Sequence, residues 1–186
     1  MFYLICLHLF NISFEKLSLF FPVLGKSDWL ADLRHKELKI KLARKGAVIG
    51  KGSVVYDTIF SASAKGDRFF IGENCTITGS TLLAHDASPA VFLEELSNKP
   101  NAWQPGARRS YRNSITIGNN VFIGYGCIVL PGITIGNNVI VAAGSVVTKD
   151  ITNNVVVAGN PAKVINSIDN YKDKYRKLLA NDPDSF

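Results

Sequence analysis

The sequence predicts a mainly β chain wound as a solenoid of three-sided coils. Three observations carry that prediction. Branched aliphatics recur six positions apart at Ile117, Ile123, Val129, Ile135, Val141 and Val147. Three residues beyond each stand Asn120, Gly126, Gly132, Asn138, Gly144 and Asp150, residue types that accept positive φ at low cost. A six-residue period matches neither the 3.6-residue turn of a helix nor the alternation of a lone strand, so it describes a polygon with a corner every sixth residue. The aliphatic points into the bore, the Gly, Asn or Asp turns the corner, and three sides make a coil of about eighteen residues.

Size and composition suit this reading. The chain has 186 residues, enough for one domain with appendages, and 47% of them are hydrophobic, ample for a core. A formal net charge of +6 favours anionic partners such as phosphates or anionic lipid heads. No nucleic-acid motif accompanies the charge, so no nucleic-acid partner is expected. Cys6, Cys75 and Cys127 form an odd set without metal-ligand spacing, which points to a reducing, cytoplasmic compartment, no disulfide framework and no bound metal.

The N-terminal part, residues 1–46, is apolar and then basic. Residues 1–25 are strongly apolar, but His8, Asn11, Glu15 and Lys16 interrupt them and no basic region precedes them, so neither a signal peptide nor a membrane span fits. Packing on the solenoid end or on a neighbouring subunit is the favoured reading. Peripheral association with the inner face of a membrane through residues 1–25 is its rival. Ser27 as N-cap, the stripe Trp29, Leu30, Leu33, Leu38 and Leu42, and Gly46 as terminator predict a helix over 28–45.

The coils occupy 47–165. They begin at Ile49 with Gly50, continue through Val55, Ile71 with Gly72, and Ile77, and reach Leu83 as an inward aliphatic. From Leu83 to Ile117 is 34 positions, not a multiple of six, so a loop over 87–114 leaves the solenoid and rejoins it. Pro89, Pro100, Pro105 and the run RRSYR mark that loop, which also carries Trp103, Arg108, Arg109, Tyr111 and Arg112 and by its length is a candidate functional segment. The run AGNPAKVI closes the stack. A last segment, 166–186, places Ile168, Tyr171, Tyr175, Leu178 and Leu179 on one face of a helix that should cap or brace the end.

The stretch SITIGNNVFIGYGCIVLPGITIGNNVIVAAGSVVTKDITNNVVVAGNPAKVI resembles the hexapeptide-repeat acyltransferases, and within them most the sugar and polysaccharide O-acetyltransferases. The resemblance runs from about Val48 to Ile165 and implies a left-handed parallel β-helix, a homotrimer, and acetyl transfer from acetyl-CoA to a hydroxyl or amine. Among three histidines, His8, His35 and His85, only His85 stands in the coils, immediately before the long loop. Acyl transfer needs a group that takes the acceptor's proton as it attacks, and the family places a histidine there, so His85 is the candidate base. Two positions beyond Leu83, it falls at a corner outside the bore. Asp86 is a weaker candidate, for the acceptor side or for orienting the ring, although adjacent residues of an extended chain point apart.

The resemblance also assigns the cofactor side. Tyr125 and Ala143, eighteen positions apart, match positions whose backbone amides meet the pantetheine arm. Thr148, Lys149 and Lys163 match positions near the nucleotide end, the lysines suited to phosphate. Phe122 and Tyr125 depart from the family, which often has Trp and a small residue there. Cys75 and Cys127 occupy the fifth place of hexads opened by Ile71 and Ile123, where small residues turn inward, so they are read as packing rather than as nucleophiles. Alternatives are an N-acetyltransferase acting on an amino sugar, a xenobiotic acetyltransferase, and a catalytically silent scaffold. A zinc-dependent carbonic anhydrase on the same fold would need three histidines, which the coils lack.

Overall fold

The computed structural model describes residues 28–62 and 65–186. The chain divides into two compact units, Met1–Lys45 and Gly46–Phe186. In the first, α1 (Asp28–Ala43) ends two residues short of the expected helix. Leu30 and Leu42 are buried along it, whereas Trp29 is 54% exposed, which interrupts the predicted stripe. Ser27, the expected N-cap, and residues 1–25 lie outside the described residues. Among the described residues no helix is long and apolar enough to cross a membrane.

The second unit is a prism of three parallel sheets. The first face stacks β1 (Ala47–Ile49), β4 (Phe69–Ile71), β9 (Ile115–Ile117) and β12 (Thr134–Ile135). The second stacks β2 (Val54–Tyr56), β5 (Thr76–Thr78), β10 (Val121–Ile123), β13 (Val139–Val141) and β15 (Val155–Ala158). The third stacks β3 (Ile59–Ser61), β6 (Thr81–Leu83), β11 (Ile128–Val129) and β14 (Val146–Val147). Strands this short work because every coil is paired with the ones before and after it. Ile123 lies in register with Ile77 and Val141, and Ile117 with Ile71 and Ile135. The resulting columns of Ile and Val are buried in the bore, and each such side chain contributes roughly 1.5–3 kcal/mol when removed from water.

The corner between the first and second faces carries the repeat's polar signature. Asn74, Asn120, Asn138 and Asn154 all adopt positive φ, between 54° and 63°. Their amides form a ladder, Asn74 Nδ2 donating to Asn120 Oδ1 at 2.8 Å, Asn120 to Asn138 at 3.1 Å, and Asn138 to Asn154 at 2.8 Å. Gly118 is required beside it by close approach, because a Cβ there would stand 2.6 Å from Asn137 Oδ1 and 2.8 Å from the Gly136 backbone.

Two expectations about phase are corrected. Leu82, not Leu83, points into the bore, in register with Phe60 and Val129. The side from Ile77 to Leu82 is one residue short of a hexad, its corner turned at Gly79 with φ 48°, and this moves the inward position from Leu83 to Leu82. Asp150 does not take positive φ. Its Oδ1 accepts from Thr134 N at 2.8 Å, and the coil there is sixteen residues long rather than eighteen, so Asn154 turns the next corner instead.

The 87–114 excursion is a folded hairpin rather than an irregular loop. It leaves on β7 (His85–Asp86) and returns on β8 (Tyr111–Arg112), which pairs antiparallel with β7. Between them lie 3-10 turns at Ser88–Val91 and Glu94–Leu96, closed by hydrogen bonds from Asn98 N to Ala107 O and Arg109 N to Leu96 O. At the far end the winding stops at Ala158, and β16 (Lys163–Ser167) folds back antiparallel on β15. Helix α2 (Ile168–Asn181) follows, its N-terminus capped by Ser167 Oγ, which accepts from Asn170 N at 3.2 Å. Ile168 is buried, but Leu178 and Leu179 are 43% and 50% exposed, so the bracing expected of the whole helix is confined to its start.

Candidate active site

His85 follows β6 at the corner between the third and first faces, where the hairpin departs. Its Nδ1 lies 3.2 Å from Asp67 Oδ2 and 3.1 Å from the Ser61 carbonyl oxygen. Both neighbours are acceptors, so Nδ1 carries the proton and donates. That tautomer leaves the Nε2 lone pair free, and the side chain is 29% exposed, open to an incoming molecule. Asp67 itself is fully buried, and its other oxygen, Oδ1, faces Arg112 Nε at 3.4 Å. A buried carboxylate needs such partners, because taking the charge out of water alone would cost several kcal/mol.

Sequence reasoning missed Asp67 and the inward role of Arg112. Asp67 falls in the irregular stretch between Ser61 and Phe69, where the coil is 22 residues long rather than eighteen. That surplus of residues at one corner was the available signal. Asp86 does not orient the ring. Its carboxylate accepts from Ser88 N and from Ser88 Oγ, each at 2.8 Å, and these two bonds hold the carboxyl below its usual pKa range.

The cofactor-side residues fall on two corners. Tyr125 and Ala143 turn the corner between the second and third faces on successive coils, Gly144 N donating to Tyr125 O at 2.8 Å. Among the described residues neither the Tyr125 nor the Ala143 amide finds an acceptor within the chain. Gly124 permits their stacking, since a Cβ there would lie 2.7 Å from Ala143 N. The Tyr125 ring is 72% exposed and lies over Gly79, where only a residue without a Cβ leaves it room. Lys163 opens β16 beside this same corner, Ala162 N donating to Val146 O. Thr148 and Lys149 instead follow β14, at the corner that carries His85, and are exposed. One chain therefore separates the two backbone amides from the imidazole by the width of the third face.

Cys75 and Cys127 are buried, their Sγ atoms donating to Gly118 O and Ala142 O, each at 3.1 Å. Burial pushes both thiols up in pKa, away from the thiolate a nucleophile requires. Among the described residues no group of three His, Cys, Asp or Glu could hold a metal ion.

Known proteins resemble this chain in its repeat and in its fold. Residues 114–149 match the family model of the bacterial transferase hexapeptide, six repeats. Protein CapG of Staphylococcus aureus is 48% identical over 105 residues, 56% of this chain and 55% of CapG, so the chain spans about half the length of that relative. The structure of a galactoside acetyltransferase in complex with coenzyme A superposes with a TM-score of 0.54 at 28% identity, over 80% of this chain and 75% of that one. A maltose O-acetyltransferase from Clostridium difficile 630 gives a TM-score of 0.51 at 27% identity, over 88% of each chain. By repeat and by coil architecture, the Gly46–Phe186 unit is a left-handed parallel β-helix similar to those of the hexapeptide-repeat acetyltransferases.

Proposed function

We propose that the protein transfers an acetyl group from acetyl-CoA to a hydroxyl of a sugar or polysaccharide precursor, with His85 as general base. The observation that carries this reading is the imidazole whose Nδ1 is committed to Asp67 and Ser61, so that Nε2 is the basic nitrogen, at an open corner. Acetyl-CoA supplies the thioester carbonyl. The chain's part is to take the acceptor's proton on Nε2 as the acceptor oxygen bonds to that carbonyl, and to return it to the departing thiolate, so no covalent enzyme intermediate is required. The donor fits the residues present: the Tyr125 and Ala143 amides are unused donors one coil apart, suited to the carbonyls of a pantetheine arm. A backbone amide of the site is assigned to the developing oxyanion. Lys163 and Lys149, with Thr148, are assigned to the nucleotide phosphates. Asp86 stays on the acceptor side as part of the proposal, beside the hairpin.

Because His85 and the two amides stand at different corners, the complete site is assigned to the seam between neighbouring copies of a homotrimer, the imidazole from one and the amides from the next. A screen of sugars, nucleotide-linked sugars and lipid-linked sugars with acetyl-CoA, read by release of free thiol, tests the activity. His85→Ala is expected to lower kcat/KM by about 10²–10⁴-fold with the fold retained. Turnover unchanged in that variant overturns the assignment of the base.

A further inference from the structure

Arg112 belongs to the hairpin, yet it reaches back to the residue that holds the proposed base. β8 pairs with β7 so that Arg112 stands directly opposite His85. This places its guanidinium Nε 3.4 Å from Asp67 Oδ1, while Asp67 Oδ2 faces His85 Nδ1 at 3.2 Å. The Arg112 side chain is 26% exposed and also donates from Nη1 to Ser110 O at 3.5 Å. One buried carboxylate is thus shared by a permanent cation and a titratable ring.

We infer that Arg112 is a positioning residue that supplies the counter-charge of Asp67, leaving His85 to donate a hydrogen bond rather than carry a charge. A buried anion demands a cation. With the guanidinium present, that demand is met without protonating the imidazole. Without it, the ring is the nearest group able to become a counter-ion, and its Nε2 lone pair is lost to a proton. The hairpin thereby does more than border the site: its return strand delivers the charge that keeps the base basic. Asp86 is the other carboxylate beside the ring, exposed and already tied to Ser88, so it offers little compensation in either direction. This inference rests on the reading of His85 as base but is tested apart from it.

Diethylpyrocarbonate acylates only unprotonated imidazole, and peptide mass spectrometry separates His85 from His8 and His35. The rate of modification at His85 is followed against pH in the full chain. Arg112→Ala is expected to move the midpoint of the rate curve to higher pH by about half a unit or more, and Asp67→Asn to lower pH by about one unit, because opposite charges have been removed. Arg112→Lys, which keeps the charge, should stay near the parent curve. If Arg112→Ala does not fold, Arg112→Gln carries the same expectation. A neutral Arg112 variant that superimposes on the parent, or that moves down with Asp67→Asn, overturns the inference, the second result meaning that Arg112 merely holds the carboxylate in place. Opposed shifts together with full turnover in His85→Ala would leave this inference standing and remove the base assignment alone.

Discussion

Asn138 shows how one residue type meets two demands. Its φ of 54° is a left-handed conformation, and its amide is the middle rung of the ladder, accepting from Asn120 at 3.1 Å and donating to Asn154 at 2.8 Å. Asn138→Ala removes both bonds, worth about 0.5–1 kcal/mol each at this exposed site. It also places a Cβ-bearing residue without a local hydrogen bond at positive φ, which adds about 1 kcal/mol. Urea unfolding should therefore show a loss of about 2–3 kcal/mol, while Asn138→Gly, relieved of the backbone strain, should lose less. Equal losses for both variants would mean that the ladder alone matters. Asn120 and Asn138 were legible in the sequence because φ tolerance recurs at a fixed phase, whereas Asn154 was not, because the coil before it is sixteen residues long. His85 was legible because histidine is scarce. Asp67 was not, because nothing in a lone aspartate within an irregular stretch announces that the fold will bury it under that ring.

At the scale of elements, the coils from Ile117 to Val147 were readable because hexads stack only in one register, and a slip would turn the aliphatics outward. The earlier coils were misread by one residue at Leu83, since a five-residue side ending in Leu82 and a six-residue side ending in Val129 both close when a positive-φ corner absorbs the difference. The hairpin over 87–114 was visible only as a break in phase, and its β7–β8 pairing depends on contacts that no local pattern encodes. Helix α2 gives the opposite lesson. Its apolar stripe promised packing along its length, but Ile168 is the one residue of the helix that is buried, and Leu178 and Leu179 are half exposed. The double variant Leu178→Ser, Leu179→Ser is accordingly expected to change unfolding free energy by less than about 1 kcal/mol, as exposed substitutions do. A larger loss in thermal or urea unfolding would mean that this face is covered in solution by another copy of the chain.

For the whole molecule, the decisive geometry is the separation of the imidazole corner from the amide corner by the third face. If a site is assembled within one chain, a variant defective at either corner fails alone and cannot be helped by another. If it is assembled across the seam of a trimer, two defective chains can share one good site. His85→Ala lacks the base but keeps the amides, whereas Ala143→Phe keeps the base and blocks the approach to the coil edge, where Ala143 is exposed. Co-expressed in equal amounts and mixed at random, the two should recover about a quarter of the parent turnover, because a seam is complete only when each neighbour contributes its intact half. Light scattering on the same sample should give three times the monomer mass of 20.3 kDa. A trimer without recovered turnover would place imidazole and amides in the same chain's site, and a monomer with full turnover would dismiss the shared seam altogether.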